Sequence, residues 1–115
     1  NNIHQAIRSK SENILTHDRL SAETTSLLKL LSLTPQQCSA EFETCLKRLN
    51  TQTDIAADER YAALSELYLA QALELSKQRN CTHAQPHSEN NHCLEQSLNA
   101  FDQSLRYSYV YLFKM

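Results

Sequence analysis

Five side chains able to hold a soft metal ion lie within one short stretch: Cys81, His83, His87, His92 and Cys93. Zinc takes four thiolate or imidazole ligands in a tetrahedron, so four of them could serve. The spacing argues against it. Cys81-x-His83 and His92-Cys93 match none of the common zinc-finger patterns, and a disulfide between the two cysteines would consume both thiolates. No metal and no cofactor is therefore the leading expectation, with a histidine-rich solvated loop in their place. A metal-binding or sensing site on Cys81, His83, His87, His92 and Cys93 is the alternative. His4 and His17 stand alone and are expected at the surface. Asn80-Cys81-Thr82 fits the N-x-[ST] glycosylation pattern, a weak three-residue match that matters only if the source glycosylates.

The cysteines also suit disulfide chemistry. Cys38 and Cys45 are seven apart, a rise of about 10.5 Å in one straight helix, well beyond the ~4.4–6.8 Å that a bridge spans between Cα atoms. A bridge there requires a bend. Ser39-Ala40-Glu41 offers one, with Ser39 capping a new helix and Cys38 just outside it. Cys81 and Cys93 flank a polar loop, and closing a loop of that size would stabilise by about 3 kcal/mol through chain entropy. Four cysteines allow three pairings, of which 38 with 45 and 81 with 93 is preferred. The competing reading is a cytosolic chain with four reduced thiols acting as small hydrophobes. Cys81 and Cys93 count against it, because a buried hydrophobe gains nothing in polar surroundings. Disulfides place the chain in an oxidising compartment, so an exported, periplasmic or extracellular protein is expected.

Other chemistry finds little footing. The serines are many, but none lies in a glycine-framed turn, and no H-E-x-x-H or paired-carboxylate cleft is apparent. Asp58-Glu59 and Glu41/Glu43 read as helix-start or solvated positions. No catalytic residue is assigned, and an autonomous enzyme is not expected. With a formal charge of −2 and scattered lysines and arginines, nucleic-acid binding is not expected. The longest apolar run, Tyr109-Val110-Tyr111-Leu112-Phe113, is far too short to span a membrane.

The elements that must position these residues follow from one absence. The 115 residues contain no glycine and only two prolines, Pro35 and Pro86. Hairpins and phosphate-binding loops depend on glycine, whereas helices joined by polar turns do not. An all-α single domain over residues 1–115 is expected, with about five helices in a bundle or stacked hairpins, stapled by disulfides. Its helices must end on residues such as Asn, His or Ser.

Ile3, Ile7, Ile14 and Leu15 predict a helix over 2–15. Ser21 as cap, Glu23 in the first turn and Leu27, Leu28, Leu30 and Leu31 as a stripe predict a second. Thr34-Pro35-Gln36-Gln37 is a capping box with proline at the first helical position, opening a helix to about Leu49. After a polar loop at 50–54, Tyr61, Leu64, Leu67, Tyr68, Leu73 and Leu75 predict a long helix over 55–77. A polar excursion at about 78–93 precedes a last helix from about Leu94. That helix lines up Leu94, Leu98, Phe101, Leu105, Tyr109 and Leu112 on one side.

Tyr107, Tyr109 and Tyr111 cannot all point inward, since residues two apart lie about 200° around a helix from each other. With Phe113 they form the candidate partner-binding site. The apolar character of the chain from Tyr107 to Met115 suggests continuation into another domain or docking on one. A start at Asn1 suggests a removed export signal or a piece of a longer chain. The partner is expected to be a protein or the chain's own missing domain.

Two resemblances accompany these readings. The stretches Ala62-Ala63-Leu64-Ser65-Glu66-Leu67-Tyr68-Leu69-Ala70 and Cys93 to Leu105 resemble the two helices of a tetratricopeptide-type hairpin, with the polar excursion in place of its tight turn. The order Ile14-Leu15-Thr16, Arg19-Leu20-Ser21, Cys38-x6-Cys45, Ser65 to Leu69 and Arg106 to Phe113 is similar to the helical N-terminal region of certain exported bacterial α/β-hydrolases. That second likeness implies a non-catalytic accessory or interaction module, the N-terminal domain of a periplasmic serine hydrolase whose catalytic residues belong to a following domain.

Overall fold

The computed structural model describes residues 19–77 and 91–113, and among these residues the structure is five helices without a strand. They are α1 (Ala22–Leu30), α2 (Pro35–Ala40), α3 (Phe42–Thr51), α4 (Ala57–Lys77) and α5 (Asn91–Phe113). The all-helical class read from the missing glycine holds. The helix expected over 2–15 lies outside the described residues, as do Cys81, His83 and His87, on which the Cys81–Cys93 bridge and the metal alternative on Cys81, His83, His87, His92 and Cys93 depend.

Local chemistry accounts for most boundaries. The Ser21 side chain accepts from the Thr24 amide at 3.2 Å and caps α1. At its other end Ser32 takes the left-handed position with φ 60°. The Leu33 amide then reaches the Leu28 carbonyl at 2.8 Å, and the Ser32 amide reaches Lys29 at 3.0 Å. This pair of bonds is the Schellman ending, closed by serine where glycine is the usual choice. Thr34 and Gln37 form the reciprocal capping box at α2, with Pro35 in its first turn.

The helix expected from Pro35 to Leu49 breaks in two at Glu41, whose φ of −128° and ψ of 64° end α2 and start α3. Ser39 therefore lies exposed in the last turn of α2 instead of capping a new helix, and Cys38 is inside α2. Glu41 makes no side-chain cap bond at this junction. The bend brings the Cα atoms of Cys38 and Cys45 to 5.1 Å, and the two are disulfide-bonded.

The bridge lies in the main core, with Leu27, Leu28, Leu31, Leu46, Leu49, Ala63, Leu64 and Leu67 around it. Two arginines close the ends of the shorter helices. Arg48 donates to the Leu31 carbonyl after α1, and Arg60 donates to the Leu49 and Gln52 carbonyls at the end of α3. Leu30, expected in the inward stripe of α1, is 82% exposed. At 100° per residue it sits roughly 110° from the centre of the buried Thr24, Leu27, Leu28 and Leu31 arc.

Helix α4 is the central element, buried on every side from Ala62 to Leu67 because α1, α2, α3 and α5 all contact it. Its longest contact is with α5, and two hydroxyl bonds show the pair to be antiparallel. Ser97 Oγ donates to the Ala72 carbonyl at 3.0 Å, and Ser104 Oγ donates to the Ser65 carbonyl at 2.7 Å. Among the described side chains of α5, Ser97, Ala100 and Ser104 are the buried ones. The stripe Leu94, Leu98, Leu105 and Tyr109, which aligned on one side in sequence, is exposed. Small side chains on both helices let the backbones approach; the buried hydroxyls of α5 find carbonyls across the interface, and that of Ser65 donates to Ala62 in its own helix. No described helix is long and apolar enough to cross a membrane.

Candidate interaction surface

Helix α5 carries three kinds of surface on one rigid rod. Its buried face holds Ser97, Ala100, Ser104 and the half-buried Tyr107. Its outer face carries Leu98 and Leu105, 59% and 70% exposed, with Leu94 beside them. Its C-terminal end bears Tyr109, Tyr111 and Phe113.

The four expected partner-binding residues separate. Tyr107 turns inward and stacks between Tyr61 and Tyr68, with ring centroids 6.0 and 5.6 Å away, while Phe42 meets Tyr68 edge-on at 5.2 Å. Burial holds the Tyr68 phenol above its ordinary value of 10.0, and the neighbouring Tyr107 and Glu43 push it the same way. Tyr109 and Phe113 point outward, 55% and 59% exposed, with their rings in contact at 4.9 Å. Tyr111 is half-buried and lines a cleft of about 340 Å³ together with Leu27, Leu30, Ala62, Glu23 and Asp58. The 200° rule of the sequence thus separates Tyr109 from Tyr107 and Tyr111 on opposite sides of α5.

One buried polar group was not singled out by sequence reasoning. Glu66, 3% exposed on α4, accepts from the Ser21 amide and Ser21 hydroxyl, each at 2.8 Å, and from the Thr24 hydroxyl at 2.6 Å. An acidic side chain against the first turn of α1 gains from one amide donor, two hydroxyl donors and the helix dipole. It ties the start of α1 to the middle of α4. The signal was a lone acid between Ser65 and Leu67 in the most apolar stretch of α4. The exposed leucines belong to the apolar side that the sequence lines up along the last helix, and only the small stripe Ser97, Ala100 and Ser104 signals that another side of it meets α4.

Among the described residues no group of three or more His, Cys, Asp or Glu side chains is arranged to hold a metal ion. Comparison with family models, curated proteins and solved structures finds no match to this chain.

Proposed function

We propose that this chain is a non-catalytic helical interaction or accessory module of an exported protein, docking on its partner through the C-terminal end of α5. The observation that carries the reading is the outward pair Tyr109 and Phe113, in ring contact and more than half exposed at the end of a 23-residue helix. Aromatic side chains contribute large contact area with few rotatable bonds, and they are enriched where proteins meet. Tyr111, on the opposite side of the same helix end, lines the cleft beside α1 with Leu30. The Cys38–Cys45 bridge supports an oxidising compartment, since such bonds are rare where glutathione keeps thiols reduced. The favoured partner is a further domain of the same polypeptide, in line with the likeness to hydrolase N-terminal regions.

A photoreactive amino acid placed at Tyr109, with the chain expressed from its native reading frame, tests this. One discrete adduct is expected, to a single protein or to the remainder of the same chain, and Phe113→Ala should weaken it. Diffuse adducts, or none, would refute the docking role.

A further inference from the structure

We propose that residues 2–15 of this chain dock as a helix in the groove between the second half of α4 and the first half of α5, with Ile3, Ile7 and Ile14 turned into it. The inference does not depend on the partner docking above, which uses the other end of α5. The groove is what the packing of the described helices leaves open. Ser97 and Ser104 of α5 meet Ala72 and Ser65 of α4. To one side of that line Gln71, Leu75, Gln96, Asn99 and Gln103 share a cleft with Phe42 of α3. At 100° per residue, Leu69 and Leu73 of α4 and Leu94 and Phe101 of α5 fall on the other side, with Leu98 at its rim. Leu69, Leu73 and Phe101 are half-buried there, and Leu94 and Leu98 are exposed. Helix α1 lies on this same side but covers only the first part of α4. It starts at Ser21 beside Glu66 and carries Leu27 and Leu30 to a cleft shared with Asp58 and Ala62.

The path of the chain before α1 selects the occupant. Because α1 runs back along α4 from Glu66, the residues ahead of Ser21 leave towards the second half of α4. Leu20 already shares a cleft with Ala70 and Glu74. Leu73 lies only about 20° from Glu66 around α4 and two turns further along it, directly in that path. Of the chain outside the described residues, 1–18 holds Ile3, Ile7, Ile14 and Leu15, whereas 78–90 holds no isoleucine, leucine, valine or phenylalanine. Ile3, Ile7 and Ile14 fall within about 40° of one another round a helix and so present a single apolar edge. The rise from Ile3 to Ile14 is about 16.5 Å, the same as from Glu66 to Lys77. Residues 16–20 make the link to α1. A tether this short holds the segment at an effective concentration of about millimolar, ahead of any separate protein competing for the same groove.

A photoreactive amino acid in place of Leu98, in the full oxidised chain, provides the test. On illumination the adduct should stay within one chain, at 13.2 kDa, and its crosslinked peptide should come from residues 2–15. Ile7→Glu should lower the yield of that adduct several-fold while urea unfolding of the chain stays cooperative. The same photoreactive group at Tyr109, about 16.5 Å further along α5, should not capture residues 2–15. Adducts from position 98 to a second chain, to another protein or to residues 78–90 overturn the proposal, and so does the absence of any adduct. A yield indifferent to Ile7→Glu overturns it as well. Equal capture of residues 2–15 from positions 98 and 109 does the same, since the segment would then have no fixed seat.

Discussion

Helices α1 to α3 and helix α5 lie against the same central helix and bury opposite chemistry. Around the first part of α4, leucines from α1 and α3 turn inward and close on the Cys38–Cys45 bridge. Along α5 the buried residues are Ser97, Ala100 and Ser104, with Tyr107 half-buried beside them, and Leu94, Leu98 and Leu105 are left exposed. The first arrangement draws its stability from apolar area, at about 1.5–3 kcal/mol for each large side chain. The second draws on close backbone approach and on interhelix hydroxyl bonds, at about 1 kcal/mol each. The apolar side of a helix is thus not always its inner side. Where a small-residue face meets another, the larger side chains become a surface for something else.

The largest expected effect separates two leucines of the same size. Leu64→Ala empties a fully enclosed site and should cost about 2–5 kcal/mol in urea unfolding, whereas Leu105→Ala should change monomer stability by no more than about 0.5 kcal/mol. Equal losses would erase the contrast. Next comes the covalent clip. Replacing Cys38 and Cys45 with serine releases a closure across a separation of seven residues, a loss of about 2.5 kcal/mol. The melting temperature should fall by roughly 10 °C, and reductant should then have little further effect on this part of the molecule.

The small-residue face offers a third measurement. Ser104→Leu forces a bulky side chain between α4 and α5 and should destabilise by about 1–3 kcal/mol, despite raising the apolar content of the helix. A stabilised variant would mean that the helices can separate to accept leucine. A smaller change of opposite sign is expected at the end of α1. Ser32→Gly relieves the left-handed backbone of a residue bearing Cβ and should add about 1 kcal/mol.

The last effect is confined to alkaline solution. Tyr68 has its folded pKa raised above 10.0, first by burial and then by Tyr107 and Glu43, so the native state holds its proton more tightly than the unfolded chain does. Its contribution is complete below pH 10 and is lost as pH rises through the folded value. The alkaline decline in stability, followed by chemical unfolding across that window, should be shallower in Tyr68→Phe than in the parent.

Much of this architecture was legible because it is written within a few residues. Ser21, the Thr34/Gln37 box and Pro35 identify their own positions through i to i+3 hydrogen bonds. The bend between Cys38 and Cys45 followed from rise per residue alone, although its pivot is Glu41 and not a Ser39 cap. The Glu66 contact joins residues 45 and 42 positions apart, and nothing near Glu66 in sequence announces Ser21 or Thr24. The Tyr107 stack has the same character, since Tyr61 and Tyr68 belong to another helix.

The sequence by itself determined a chain of helices: it has no glycine for tight turns, and its caps, periodic apolar positions and cysteine spacing act over single turns. Tertiary structure alone decided which side of α5 faces inward, and with it the exposure of Leu98, Leu105, Tyr109 and Phe113. The reason is steric and mutual. Ala62, Ser65 and Ala72 make the receiving face of α4 shallow. The face of α5 that can approach it is the one whose own side chains are small and whose hydroxyls meet its carbonyls.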